Sequence, residues 1–72
     1  MYNDNMTTDT PVQQALLEQV DGIQSRIDIE LRKARKAQTA TDKLFHDSRA
    51  QVLRKRKRAV LAQYYDIEDA KA

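Results

Sequence analysis

Residues 37–42, with the sequence AQTATD, decide whether this chain folds back on itself or continues as one helix. The segment contains capping residues, and alanine is the only strong helix former in it. A turn here predicts two long amphipathic helices of nearly equal length, packed as an antiparallel hairpin. We favour this all-α hairpin.

Two alternatives to that turn remain open. Residues 45–48, FHDS, are a second candidate turn, because Ser48 and Gln51 form an S-x-x-Q capping box. The chain could also form one continuous coiled-coil helix, since its second half contains no glycine or proline. In that case Phe45 and Val52 would continue the apolar stripe of the first half. Such a helix would be stable only in a coiled coil or on a larger partner.

The first helix has a clear start. Thr10 is a suitable N-cap, Pro11 suits the first helical position, and Gln13 completes a T-x-x-Q capping box. Acidic residues near the C-terminus oppose the dipole of the last helix and favour fraying. The predicted organisation is a disordered tail over residues 1–9, a helical domain over 10–68 and a frayed C-terminus over 69–72.

Apolar residues recur every three or four positions from Val12 to Ala34, which predicts one apolar face on the first helix. A broader apolar face runs from Phe45 to Ile67. A chain of 72 residues without cysteine buries a thin core and has no disulfide to stabilise it. We therefore expect a homo-oligomer, most simply a dimer. The residues predicted to mediate self-association are Leu16, Val20, Ile23, Ile27, Leu31, Phe45, Val52, Val60, Tyr64 and Ile67.

The composition argues against several classes of function. With one histidine and no cysteine, a structural zinc site is not expected, and one glycine does not allow a glycine-rich phosphate loop. We predict no catalytic residue, metal, cofactor or small-molecule substrate. The sequence has no apolar run of membrane-spanning length and no signal-peptide pattern, so we expect a cytoplasmic protein without membrane contact.

Positive charge is concentrated in the middle of the chain. The net charge is only +2, yet residues 32–58 contain eleven of the thirteen lysines and arginines and two of the eleven acidic residues. Five consecutive basic residues occupy positions 54–58, and on a helix they spread around the cylinder. The predicted outward ridge comprises Lys43, Arg54, Lys57 and Arg58. In a hairpin, the turn end would gather further basic residues, including Arg32, Lys36 and Arg49, and we expect contact with an anionic partner there as much as at the ridge.

We therefore expect a non-enzymatic helical module that self-associates and contacts the phosphates of DNA or RNA through a basic helix face. The alternative is an adaptor, scaffold or inhibitor that docks on an acidic protein surface. In a hairpin, Asp21 and Asp28 would lie beside the basic run and could weaken its positive potential by pairing with it.

Three further side chains have expected positions. Arg49 and Arg56 are predicted near the apolar seam, where their stems would be buried and their charged heads would stay in water. His46 is predicted to be a surface residue beside Asp47.

Overall fold

The chain forms an antiparallel helical hairpin. The computed structural model describes residues 9–71 and contains α1, Pro11–Lys36, and α2, Ala40–Lys71. The all-α hairpin is therefore confirmed, and the continuous helix is wrong. The predicted tail lies outside the described residues except for Asp9. The helix α2 extends through Lys71. The predicted fraying of residues 69–72 concerns motion and stays a prediction.

The start of α1 is the capping box that the sequence predicts. The Thr10 N–H donates to Oε1 of Gln13 at 3.0 Å, and the Gln13 N–H donates to Oγ1 of Thr10 at 3.1 Å. Pro11 occupies the first helical position. The Gln13 side chain is completely buried, and its Nε2 has no hydrogen-bond partner within residues 9–71. Gln13 thus caps the helix and also fills a position on its buried face.

Two helix caps make the turn, without a glycine. At the end of α1, Ala37 adopts an extended conformation with ψ of 138°, and its N–H donates to the carbonyl of Ala34 at 3.2 Å. Oγ1 of Thr39 then accepts a hydrogen bond from the Asp42 N–H at 3.1 Å. The turn therefore lies in the first predicted segment. The second candidate turn, residues 45–48, lies inside α2.

The core lies between the two helices. It is formed by buried Leu16, Ile23, Ile27 and Val60 and by five partly buried residues packed against them. Those five residues are Val20, Leu31, Leu53, Tyr64 and Ile67. This core therefore contains all of the residues predicted for self-association except Phe45 and Val52. These contacts form within one chain, so dimerisation stays a prediction.

The structure corrects the predicted apolar face of the second half. Phe45 and Val52 lie outside the core and are 54% and 66% exposed. The turn interrupts the helical phase, so α2 buries the predicted Val60 and also Ala50 against α1 but leaves the two exposed residues outside the core. An apolar stripe extrapolated from the first helix therefore does not identify the buried face of the second.

The hairpin is a single layer of helices with dimensions of 57 × 22 × 13 Å. A hydrogen bond joins its open end, because the Tyr64 hydroxyl donates to Oδ1 of Asp9 at 2.9 Å. This bond, together with burial and the nearby carboxylates, raises the pKa of Tyr64 to about 12. Neither helix within residues 9–71 has an apolar stretch long enough to cross a membrane.

We expect Ile27→Ala to lower the free energy of unfolding by about 2–5 kcal/mol, because Ile27 is 2% exposed at the helix interface. Urea denaturation followed by circular dichroism measures the change. The matched control is Ile29→Ala in the same helix, where the side chain is 44% exposed and we expect a change within about 0.5 kcal/mol. Equal losses in the two variants would contradict this core.

Alkaline titration tests the contact between Tyr64 and Asp9. We expect one tyrosine to ionise near pH 12, above the usual value of 10.0, because its hydroxyl donates to a carboxylate. Ultraviolet absorbance of the phenolate follows the titration. Tyr64→Phe should remove this late step and Tyr65→Phe should leave it. A late step that survives Tyr64→Phe would show that the contact is absent.

Candidate functional site

The side chains of the five basic residues at positions 54–58 project in different directions around α2. Arg54 and Lys57 are half-buried, whereas Lys55, Arg56 and Arg58 are exposed. Lys57 lies on the side of α2 that faces α1, and its Nζ donates to Oε1 of Gln24 at 2.6 Å. Arg56 is exposed, and its predicted position beside the apolar seam stays a prediction.

A groove on one broad face of the hairpin brings together Arg54, Lys57 and Arg58. We call it the basic groove, and its volume is about 370 Å³. The lining residues are Gln24, Ile27, Leu31, Arg54, Lys57, Arg58 and Leu61. Arg54 and Arg58 are one helical turn apart, and no carboxylate lines the groove. Three cations thus border an apolar floor.

The charges of the basic run are not neutralised within the described chain. Across residues 9–71, none of the five basic side chains forms an ion pair with a carboxylate. Asp28 instead accepts a hydrogen bond from Nε2 of Gln24 at 2.9 Å, and Asp21 pairs with no residue of the run. The predicted pairing of these two aspartates with the run is therefore absent. The run keeps its positive potential.

The other predicted contact residues lie nearer the turn. Lys43 is exposed near the start of α2, about 16 Å along the helix from Arg54. Arg32 and Lys36 are exposed near the end of α1. The predicted ridge is therefore divided into the basic groove and a separate group of cations at the turn end.

A buried carboxylate joins the helices near the turn. Glu30 is only 8% exposed, and its Oε1 lies 2.7 Å from Nδ1 of His46. The Arg49 Nε donates to Oε2 of Glu30 at 3.2 Å, and its guanidinium lies 5.4 Å from the centroid of the Phe45 ring. The rings of His46 and Phe45 form a T-shaped pair, with centroids 5.1 Å apart and an interplanar angle of 76°. We call these four residues the Glu30 cluster.

The Glu30 cluster gives each charged group a specific partner. The hydrogen bond from His46 holds the pKa of Glu30 below its usual value, burial opposes this effect, and Arg49 adds to the lowering. Arg49 is thus paired within the hairpin, and His46 bonds Glu30 across the helix interface rather than standing beside Asp47 alone.

Sequence reasoning missed Glu30 because the apolar stripe was followed through Leu31. Glu30 is three residues after Ile27 and four before Ala34, and both of those residues are buried. A charged residue at such a seam position needs a partner. That spacing was the available signal, but only the fold identifies His46 and Arg49 as the partners.

A second groove, on the opposite broad face, shares no lining residue with the basic groove. We call it the Val52 groove, and its volume is about 480 Å³. The lining residues are Arg26, Ile29, Glu30, Arg49, Val52 and Leu53. On α1, Arg26 and Ile29 flank the buried seam on one side, and Gln24 and Leu31 of the basic groove flank it on the other.

Chemically, the described residues offer positive charge and apolar surface. Residues 9–71 contain no group of three or more histidine, aspartate or glutamate side chains that could hold a metal ion. His46, the single histidine, is engaged with Glu30. The arrangement therefore favours binding of anionic or amphipathic partners.

The Glu30 cluster predicts an acid-sensitive contribution to stability. Glu30→Gln should destabilise the hairpin at neutral pH, because the amide cannot replace the carboxylate towards His46 and Arg49. Since the folded-state pKa of Glu30 is lowered from 4.5, this contribution is present above pH 4.5 and is lost as the pH falls through the folded-state pKa. Thermal unfolding of the wild type and of Glu30→Gln, from neutral to acid pH, measures the difference in stability between them.

The control for this prediction is Glu18→Gln, since Glu18 is exposed on the same helix. We expect little difference from the wild type at any pH. A loss in Glu30→Gln that stays constant through acid pH would contradict the assigned role of the carboxylate.

The chain was also compared with proteins of known sequence and structure. No protein-family model, curated protein sequence or solved structure matches it. The charges and grooves described above are therefore the basis for any function assigned to this hairpin.

Proposed function

We propose that this protein is a non-enzymatic helical hairpin that binds nucleic-acid phosphates through its basic groove. The observation that carries the proposal is the run of five basic residues at positions 54–58, none of which is ion-paired with a carboxylate of residues 9–71. Phosphate binding would neutralise these charges and release counterions from the nucleic acid.

The geometry of the groove supports contact with a phosphate backbone. Arg54 and Arg58 lie on the same side of α2, and the planar guanidinium of arginine can donate two hydrogen bonds to one phosphate. The bond from Lys57 to Gln24 positions a third cation between them and α1. Since these are backbone contacts, the binding should depend weakly on sequence.

An aromatic side chain lies beyond the basic groove on the same helix. Tyr65 is 58% exposed and follows Leu61, a lining residue, by one turn. Its ring is available to stack on an unpaired base. Tyr64 is half-buried and bonded to Asp9, so it is unsuited to stacking. Because unpaired bases occur in single strands, the exposed ring of Tyr65 favours single-stranded nucleic acid over duplex.

Charge reversal tests the proposal. We expect Arg54→Glu with Arg58→Glu to weaken binding to random-sequence DNA and RNA roughly tenfold or more, and to reduce the slope of log affinity against log salt by about 2. Fluorescence anisotropy across salt concentrations measures both quantities. Circular dichroism should show unchanged helicity, because Arg58 is exposed and Arg54 is half-buried outside the core.

The matched control is Arg32→Glu with Lys36→Glu, which changes the net charge equally at the turn end. This double variant should retain most of the binding. Equal losses in both variants would assign the binding to net charge or to the turn-end cations as well, and would contradict a site confined to the basic groove. If the wild type binds neither DNA nor RNA even at low salt, the basic groove instead suits the alternative function, docking on an acidic protein.

A further inference from the structure

The Val52 groove combines exposed apolar side chains from both helices. Ile29 of α1 is 44% exposed and Val52 of α2 is 66% exposed, and both line the groove with Leu53. Phe45, at 54% exposure, lies two turns before Val52 on the same helix. Neighbouring exposed apolar side chains that line one concave surface are typical of a contact surface.

The charged rim of this groove is positive. Arg26 forms no ion pair within residues 9–71, and Arg49 retains free guanidinium donors besides the Nε that bonds Glu30. Glu30 is the one carboxylate of the lining, and both of its oxygens are already engaged by His46 and Arg49. An occupant would therefore meet two arginines and no free carboxylate.

These two properties select the occupant. A second copy pairing through this groove would bring two sets of arginines to one interface, where the lining has no free carboxylate to pair with them. A nucleic-acid backbone would satisfy the arginines but would leave the exposed side chains of Ile29 and Val52 against charged phosphates, whereas the apolar lining of the basic groove is already buried or half-buried. An acidic amphipathic helix satisfies both, because its apolar face covers the floor and its carboxylates reach the rim.

We propose that the Val52 groove binds an acidic amphipathic helix of a partner protein, which packs on the hairpin as the third helix of a bundle. A helix in a groove is anchored by apolar residues spaced i, i+3 or i+4, i+7. Those anchors contact Ile29, Val52 and Leu53, and glutamates or aspartates flanking them pair with Arg26 and Arg49. This site is distinct from the basic groove.

Selection from a peptide library tests the proposal and does not require the natural partner. A displayed library of helical peptides, about 15 residues long and randomised on every face, is panned against the full-length protein. We expect the enriched peptides to carry apolar residues at i, i+3 or i+4 spacing, with acidic residues flanking them. Arg26→Glu with Val52→Glu should raise the dissociation constants of these peptides at least tenfold, as measured by fluorescence anisotropy.

Two control variants make the outcome decisive. Val12→Glu with Arg35→Glu changes the same residue types at exposed positions outside the groove and should leave the affinity unchanged. Arg54→Glu with Arg58→Glu should also leave it unchanged, so this test is independent of the nucleic-acid proposal. The proposal is overturned if no helical peptide is enriched, if the enriched peptides lack acidic residues, or if binding survives in the groove variant.

Discussion

Burial of Ile27 against α2 is the contact on which the rest of the hairpin depends. At 2% exposure it is the least exposed of the large apolar side chains in residues 9–71, and it lies in the same cluster as Leu16, Ile23 and Val60. Helices in proteins gain most of their stability from such packing. The caps at Ala37 and Thr39 end one helix and start the next, and the interface then brings the two apolar faces together.

Polar side chains interrupt this interface, and two of them on α1, Glu30 and Gln24, have partners on α2. Glu30 binds His46 and Arg49, and Lys57 donates to Gln24. A one-turn slip of α2 along α1 would separate these pairs and leave Glu30 unpaired at the interface, which is costly. The polar contacts therefore favour one register of the hairpin, whereas a purely apolar seam would tolerate several.

A two-helix layer leaves both of its broad faces available, and here the two faces differ in character. The basic groove has three cations around its floor and no carboxylate, whereas the Val52 groove has exposed isoleucine and valine between two arginines. We have proposed a phosphate backbone for the first and an acidic amphipathic helix for the second. Because the grooves share no lining residue, the two proposed partners would not compete for the same side chains.

The sequence by itself determined the helical class, the capping box at Thr10 and most of the buried face of α1, and it offered residues 37–42 as one of its candidate turns. These are local properties, since caps and periodicity depend on residues a few positions apart. The tertiary structure alone decided between the candidate turns, and it placed Phe45 and Val52 outside the core although Val60, Tyr64 and Ile67 of the predicted face lie within it. It likewise decided that Glu30 meets His46 and Arg49 and that Arg54 and Arg58 border one groove with α1. Those contacts depend on the register between two helices, which no local pattern specifies.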